Sequence, residues 1–239
     1  GRNPFKDVRV RRALYQAIDI ETLKTKLMNG QSFPTGAVMP SPLGTYNDPA
    51  LEQRYPFDLA AARKLLADAG YPDGLKVDLI STPGYGQVWV QTVEVVLQDL
   101  KAAGIDATLK MQEYTAYLAS TFKGQFESGP TMVFGLETPF TEPHDFLFNM
   151  YHPNGTRNHA GVDDAKLTAM IEQQMRTLDR AERKKQIFDI QRYLAEQQYY
   201  PPHAASMRTA ALQPNVHDFF PRSDYGLGAE IVPKVWLDK

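Results

Sequence analysis

Arginines near the start of the chain are the first residues whose type and spacing could carry chemistry. Arg9, Arg11 and Arg12 fall within the stretch 7–19, which reads DVRVRRALYQAID. Such a cluster could grip a nucleic acid, stabilise negative charge in an active site or cover the outer face of a helix. The formal net charge of −2 and the sequence pI of about 6.2 lack the basic excess of a nucleic-acid-binding domain. We therefore expect a scaffold helix and no nucleic-acid partner.

Histidines and paired carboxylates in the second half of the chain could bind a metal ion. His144, His152 and His159 surround a helix and a Pro-Asn-Gly turn. They lack the i, i+4 spacing with which two helical histidines share one metal ion. The pair Asp163-Asp164 lies at a predicted helix start, where capping accounts for at least one carboxylate. We predict no metal site and assign the histidines no role.

Sequence signatures of catalysis are missing. The chain contains no G-x-S-x-G elbow, no H-E-x-x-H motif and no complete P-loop. The fragment GLGAE at 226–230 has only two of the three glycines of a dinucleotide fingerprint, so it reads as a turn. The absence of cysteine excludes disulfides, thiol nucleophiles and cysteine-ligated zinc. We predict a protein that is not an enzyme and that carries no cofactor.

The first predicted element is the helix that contains the arginines. Asp7 can cap it, and Arg9 and Arg12 on its surface can pair with Asp7 or with later carboxylates. Its apolar stripe comprises Val10, Ala13, Leu14, Ala17 and Ile18. We expect this stripe to face the core.

Strands and helices alternate in the middle of the chain. Alternating apolar residues predict strands at 75–81 and 105–111, and apolar residues at helical spacing, including Val88, predict a helix at 87–103 between them. Strand–helix–strand implies a parallel pair with a crossover connection. A helix near 114–122 and an apolar run at 131–135 predict a further α/β step.

The remaining segments are a long loop, several capped helices and a tail. Four aspartates are placed to cap helices: Asp19, Asp58, Asp163 and Asp179. The proline-rich segment 31–57 is long for a structureless loop and is therefore a candidate functional segment, with 31–47 as a possible wall of a cleft. The tail 199–239 is rich in proline and aromatic residues and is predicted to contain strands.

The predicted ligand site follows from the order of these elements. In open α/β sheets, ligands bind beyond the carboxyl ends of the parallel strands, which are followed here by loops 82–87, 112–115 and 135–142. Aromatic and polar side chains that suit a small-molecule cleft occur in and beside the first and third loops: Tyr85, Gln87, Trp89, Glu137, Thr138 and Phe140. Gly84 and Gly86 would let the backbone approach a ligand closely. The aromatic members could equally be ordinary core residues.

Several segments, taken in order, resemble one known family. They are PFKDVRVRRALYQAID at 4–19, YPFDLAAARKLLADAGYPDG at 55–74, the Gly-Ile pair after the helix at 87–103, EPHDFLFNMYHPNGTRNHAG at 142–161 and VWLDK at 235–239. This chain resembles the extracytoplasmic solute-binding proteins of ABC importers, of the oligopeptide, dipeptide and nickel type. The resemblance implies an α/β fold: a periplasmic-binding-protein-like lobe with a mixed, partly parallel sheet flanked by helices.

The resemblance also implies how the chain is organised. Such proteins close two lobes on a ligand, and the chain resembles only the second lobe, at 1–198, and a tail, at 199–239, that in the family also packs on the first lobe. We therefore expect this chain to be a domain or fragment. The implied function is the capture of a small solute for a membrane permease, in the periplasm or another extracytoplasmic compartment, by a monomer.

The ligand chemistry of the family transfers only in part. Peptide-binding members place an Asp three residues before an acidic-Pro pair, where it holds the amino terminus of the ligand. The pair here is Glu142-Pro143, and the matching position is Pro139, which cannot pair with an ammonium group. Peptide-like, opine, sugar or metal-chelate ligands therefore stay open beside peptides. Asn158, within the resembling segment 142–161, completes the predicted ligand-binding set.

Two other classes of function stay open. Lobes of this kind can belong to ligand-sensing regulatory proteins, and a hydrolase with an unrecognised site is a less favoured alternative. The missing catalytic motifs argue against the hydrolase.

Overall fold

The computed structural model describes residues 3–33, 46–51, 56–126, 129–135, 142–200, 205–206, 211–219 and 232–238. Its helices are α1 (Val8–Ala17), α2 (Ile20–Thr22, continued by the π-helical turn Leu23–Leu27), α3 (Leu59–Asp68), α4 (Gln87–Ala102), α5 (Tyr114–Ala119), α6 (Pro143–Tyr151), α7 (Ala165–Arg176) and α8 (Arg180–Gln197). Its strands are β1 (Ser32–Phe33), β2 (Leu75–Ser81), β3 (Ile105–Met111), β4 (Thr131–Val133), β5 (Ala205–Ser206), β6 (Val216–His217) and β7 (Trp236–Leu237). None of the helices in these ranges is long and apolar enough to cross a membrane.

A parallel sheet of order β3-β2-β4 lies at the centre of the first half. Leu75 pairs with Ile105 at one end of the β2–β3 ladder, and Ser81 pairs with Met111 at the other. β4 joins the opposite side of β2, where Asp78 pairs with Thr131. The predicted strand–helix–strand unit and its parallel pairing are thereby confirmed.

The main core covers one face of this sheet. The alternating residues Leu75, Val77 and Leu79 of β2 are buried against α1, α3 and α4. All the stripe residues predicted for the first helix are buried as well. Val88, placed on the predicted apolar stripe of α4, is 52% exposed. That part of the expectation is wrong, because in the first turn of α4 it is Trp89 that packs on the core, whereas Val88 faces solvent.

A second core is built mainly from helices. Leu147 of α6, Leu167 and Ile171 of α7, and Ile187 and Ile190 of α8 are all fully buried together. Leu194 of α8 packs in the same core.

Most of these helices begin at a residue whose side chain caps them, as the sequence predicts. Asp7 accepts from the Arg9 amide, Asp19 from Thr22 and Asp58 from Ala61. For α7 the predicted cap is wrong by one position. The cap is Asp164, which accepts from the amides of Lys166 and Leu167 and also from the hydroxyls of two tyrosines of the helical core.

The arginines of α1 connect the two cores. Arg9 remains near the surface and pairs with Asp7 at 2.6 Å, as expected. Arg12 pairs with Glu196, near the end of α8. Arg11 is buried and donates to the carbonyl oxygens of Phe5 and Gln197. The expected pairing of Arg9 with Asp7 and of Arg12 with a later carboxylate is therefore observed. The sequence assigned Arg11 no position of its own, and the structure buries it.

Short strands occur in the tail and beside the long loop. β1 pairs antiparallel with β5, and β6 pairs antiparallel with β7, which agrees with the strands predicted for 199–239. Most of the proposed wall at 31–47, from residue 34 to residue 45, lies outside the described residues.

Candidate functional site

The carboxyl ends of the three parallel strands meet at one edge of the sheet. Beyond β2, Thr82 accepts a hydrogen bond from the Gly84 amide and begins a 3₁₀ turn at Pro83–Tyr85. Gly86 follows with a φ of +97°, a conformation that favours glycine, and leads into α4. Beyond β3, Glu113 caps α5 by accepting from the Ala116 amide. The chain thus places the starts of two helices side by side at this edge.

Five aromatic side chains gather there, and we name them the aromatic cluster: Tyr85, Trp89, Tyr114, Tyr117 and Phe134. The Tyr85 ring makes edge contacts with Trp89 at 5.4 Å, with Tyr114 at 5.6 Å and with Tyr117 at 6.0 Å between ring centres. Trp89 in turn packs on Phe134 at 4.8 Å. Tyr117 and Phe134 are buried, whereas Tyr85, Trp89 and Tyr114 are partly exposed. The cluster therefore has a buried base and an accessible aromatic surface.

A hydroxyl group fixes the base of the cluster. Ser81, the last residue of β2, is fully buried. Its Oγ accepts from the Trp89 indole nitrogen at 3.1 Å and donates to the Phe134 carbonyl oxygen at 2.9 Å. The end of β2, the first turn of α4 and the residue after β4 are joined through this one side chain.

Two glycines make room for the tyrosines. A Cβ atom at Gly84 would collide with the ring of Tyr114, and one at Gly135 would collide with the Tyr117 hydroxyl. We expected Gly84 to admit a ligand, but the structure fills that space with Tyr114. At Gly86 a Cβ atom would meet nothing within 4 Å, so the space beside it is open.

The predicted ligand-binding residues separate into three groups, the third of which is Asn158 alone. Tyr85 and Trp89 belong to the aromatic cluster, and Gln87 is exposed between them on the chain. Glu137, Thr138 and Phe140, together with Pro139, lie outside the described residues. Their roles therefore stay predictions.

Asn158 lies in the loop after α6, in the part of the chain that belongs to the helical core. Its amide nitrogen donates to the carbonyl oxygens of His152 and Val162, and its amide oxygen accepts from the Val162 amide. All its polar atoms thus stabilise the loop. The loop nevertheless approaches the aromatic cluster, because Phe122 contacts both Tyr117 and His159.

Several other polar groups considered from the sequence have structural partners. Glu142, of the Glu142-Pro143 pair, accepts from the His144 amide at the start of α6 and pairs with Arg183 of α8. His152 stacks on Phe148 at 4.3 Å between ring centres. Among the described residues, no group of three His, Asp or Glu side chains is arranged to hold a metal ion.

Electrostatics near the edge are governed by groups that already have partners. Backbone hydrogen bonds from Thr115 and Ala116 lower the pKa of the Glu113 carboxyl, which keeps it charged as a helix cap. Lys110 pairs with Asp78 at 2.8 Å. This pair lies beside an open depression of about 520 Å³, whose lining residues are Ile80, Lys110, Gln112, Gln125, Phe126 and Thr131. Because these charged groups bond within the protein, the side chains that the aromatic cluster exposes are mainly aromatic.

Sequence reasoning missed Tyr114, Tyr117 and Ser81. The loop 112–115 was recognised as a strand end, but no side chain in or after it was selected. Tyr114 lies three residues beyond the last residue of β3, so the rule that selected Tyr85 could have selected it too. Ser81 carried no local signal, because its partner in α4 is defined only by the folded sheet edge.

Comparison with known proteins places the chain in a family. Residues 1–158 match the model described as bacterial extracellular solute-binding proteins, family 5 Middle, which is more than half of the chain. The chain belongs to this family. The expectation drawn from the resembling segments is confirmed.

Curated relatives of this family carry the names of binding proteins. Heme-binding protein A of Haemophilus influenzae is 26% identical over 95% of this chain and 41% of its own length. Di/tripeptide-binding protein 3 of Pseudomonas aeruginosa is 26% identical over 90% of this chain and 40% of its own length. The chain thus spans about two fifths of the length of these family members.

Solved structures show the same fold. The periplasmic binding protein DppA of Helicobacter pylori, in complex with a peptide, superposes on the whole of this chain with a TM-score of 0.81, at 21% identity, and 45% of that protein is covered. The predicted α/β lobe with a partly parallel sheet is confirmed by this likeness.

Proposed function

We propose that this chain forms the second lobe of a solute-binding protein that serves an ABC importer and captures a peptide or another small solute. The observation that carries the proposal is the accessible aromatic surface of Tyr85, Trp89 and Tyr114 at the carboxyl edge of the parallel sheet. Ligands of open α/β sheets bind at this edge. Membership of the family supports this function over the regulatory and hydrolase alternatives.

The proposed mechanism is binding and closure, without bond chemistry. One lobe supplies the aromatic surface and the opposite lobe covers the solute, so that apolar burial provides most of the affinity and a few polar contacts orient the ligand. Closure is a hinge motion between lobes. The protein acts as a monomer in the periplasm or another extracytoplasmic compartment and delivers its solute to a membrane permease.

The aromatic surface supports solutes that have an apolar part. The relatives are named for haem and for di- and tripeptides, and either kind of molecule offers apolar area to such a surface. Pro139, where peptide-binding members have an aspartate, favours a solute that is not held by a free ammonium group. Glu137, Thr138 and Phe140 would then contribute from the neighbouring loop.

Thermal-shift measurements on the protein expressed from its complete gene test this function. The solute panel contains alanylalanine, alanylphenylalanine, trialanine and haemin. We expect at least one solute to raise the melting temperature and Trp89→Ala to remove most of that rise. Trp236→Ala is the matched control, since Trp236 lies in β7, outside the aromatic cluster. An unchanged rise in Trp89→Ala would place the solute elsewhere. The isolated chain should bind far more weakly, because it supplies one side of the cleft.

A further inference from the structure

The indole nitrogen of Trp89 is bonded to a residue that is shielded from solvent. Ser81 is fully buried at the end of β2. The only hydrogen in the indole ring of Trp89 able to form a conventional hydrogen bond is directed to the Ser81 hydroxyl at 3.1 Å. The hydroxyl can accept this bond because it donates its own hydrogen to the Phe134 carbonyl oxygen at 2.9 Å. The three groups form a short chain in which each donor has an acceptor.

The remaining contacts of the indole confirm that its position is fixed. Phe134 packs on one side at an interplanar angle of 31°, and Tyr85 meets it edge-on at 83°. Trp89 is nevertheless only partly buried. Because the indole nitrogen is directed to a buried partner, the accessible part of the ring consists of carbon atoms.

We propose that Ser81 is a positioning residue of the ligand site: its hydroxyl turns the Trp89 N–H inward, so that Trp89 presents ring carbons and selects an apolar or aromatic group of the solute. This inference rests on the proposed function. Alanine at position 81 would remove the acceptor of the indole N–H, and an unpaired N–H near the surface would gain by turning toward water. The aromatic surface would then lose its apolar character at this point.

A spectroscopic experiment tests the positioning without any ligand. The ¹⁵N-labelled protein, expressed from its complete gene, gives an indole N–H signal for Trp89 that is identified by its loss in Trp89→Phe. We expect Ser81→Ala to shift this signal and to speed its hydrogen exchange at least tenfold, and Ser81→Thr to restore slow exchange. Thr121→Val is the control, since it removes an equally buried hydroxyl that bonds to Gln112 instead. Unchanged exchange in Ser81→Ala would overturn the positioning role.

A double-mutant cycle tests whether Ser81 acts on the solute through Trp89. Titration calorimetry with alanylphenylalanine and haemin measures the dissociation constant of the wild type, Ser81→Ala, Trp89→Phe and the double variant. We expect Ser81→Ala to weaken binding about fivefold, in keeping with the loss of one hydrogen bond, and to have no further effect in the Trp89→Phe background. Equal weakening in both backgrounds would mean that Ser81 acts only through general stability and would overturn the proposal.

The two experiments distinguish the inference from the function on which it rests. Failure of every solute in the panel to bind would overturn the capture of peptides and haem and, with it, the selectivity assigned to Trp89. The exchange of the indole proton would still decide whether Ser81 holds the ring. Normal binding combined with unchanged exchange in Ser81→Ala would overturn the inference and leave the function standing.

Discussion

The guanidinium of Arg11 donates to the backbone carbonyl oxygen of Gln197 over 2.7 Å, across 186 positions of the chain. Gln197 is the last residue of α8, where carbonyl groups lack intrahelical partners and the helix dipole favours a cation. Arg12 adds bonds to the neighbouring Glu196 carbonyl. α8 has no basic residue in its own last turn, so α1 supplies the cations that cap it. The two cores are thereby joined at this point.

Arg11→Ala is expected to lower the free energy of unfolding by about 3 kcal/mol, because it removes charged hydrogen bonds to two partly buried carbonyl groups, those of Phe5 and Gln197. Burial lowers the pKa of this guanidinium, but its bonds keep it in place as a cation. Urea unfolding followed by circular dichroism measures the change. Arg9→Ala is the control and should cost clearly less, since it breaks a more exposed pair with Asp7. Equal losses for the two variants would contradict the capping role of Arg11.

Local sequence patterns were sufficient for the elements that depend on neighbours along the chain. The alternation in 75–81, the helical spacing in 87–103 and the caps at Asp7 and Asp58 each rest on residues a few positions apart, and all are observed. They also placed Tyr85 and Trp89 at the correct edge of the sheet. The rule that ligands of open α/β sheets bind beyond the carboxyl ends of the strands was enough to select the loop beside these two residues.

Contacts between distant segments could not be predicted in the same way. Both Asp163 and Asp164 can cap α7, and the choice is associated with Tyr193 and Tyr199, whose hydroxyls donate to Asp164 at 2.7 and 2.8 Å. The burial of Arg11 likewise depends on the end of α8. In each case the deciding partner is far along the sequence, and no periodicity identifies it.

Gly84→Ala is expected to destabilise the protein by about 2 kcal/mol and to displace Tyr114, because the added Cβ atom would overlap the tyrosine ring. Thermal unfolding measures the cost. Gly129→Ala is the matched control, since its Cβ atom would meet only the Thr131 hydroxyl at an ordinary 3.8 Å. In a Tyr114→Gly background, which removes the Tyr114 Cβ atom at 2.6 Å from the added atom together with the ring, Gly84→Ala should cost much less. A full loss in that background would show that the cost does not come from Tyr114.

Asp164→Ala is expected to lower the free energy of unfolding by about 2 kcal/mol, because it removes the cap of α7 and the acceptor of two tyrosine hydroxyls. Burial and the bond to Asp164 raise the pKa of Tyr193 to about 12. The same variant should therefore lower the pKa of this phenol, which ultraviolet titration detects. Asp163→Ala should change neither quantity appreciably. A similar loss of stability in Asp163→Ala would contradict the assignment of the cap to Asp164.

His159 is expected to make the protein less stable in mild acid. Burial, and next the charge of Arg157, lower the pKa of this imidazole below the ordinary histidine value of 6.5. The unfolded chain therefore binds a proton more readily than the folded one, so this contribution to stability is present above pH 6.5 and is lost as the pH falls through the folded-state pKa. The ring contacts Phe122, over which Arg157 also lies, and protonation would place two cations against one aromatic side chain.

His159→Gln tests this expectation, because glutamine keeps a polar side chain that does not titrate. Urea unfolding at intervals between pH 7 and pH 5 gives the free energy of each protein, and the difference between wild type and variant isolates the contribution of His159. We expect the wild type to lose stability relative to the variant as the pH falls, by less than about 1.4 kcal/mol per pH unit, the limit for one proton. Parallel curves for the two proteins would show that the loop after α6 does not exclude the protonated form, and a difference of the opposite sign would mean that the folded protein stabilises it.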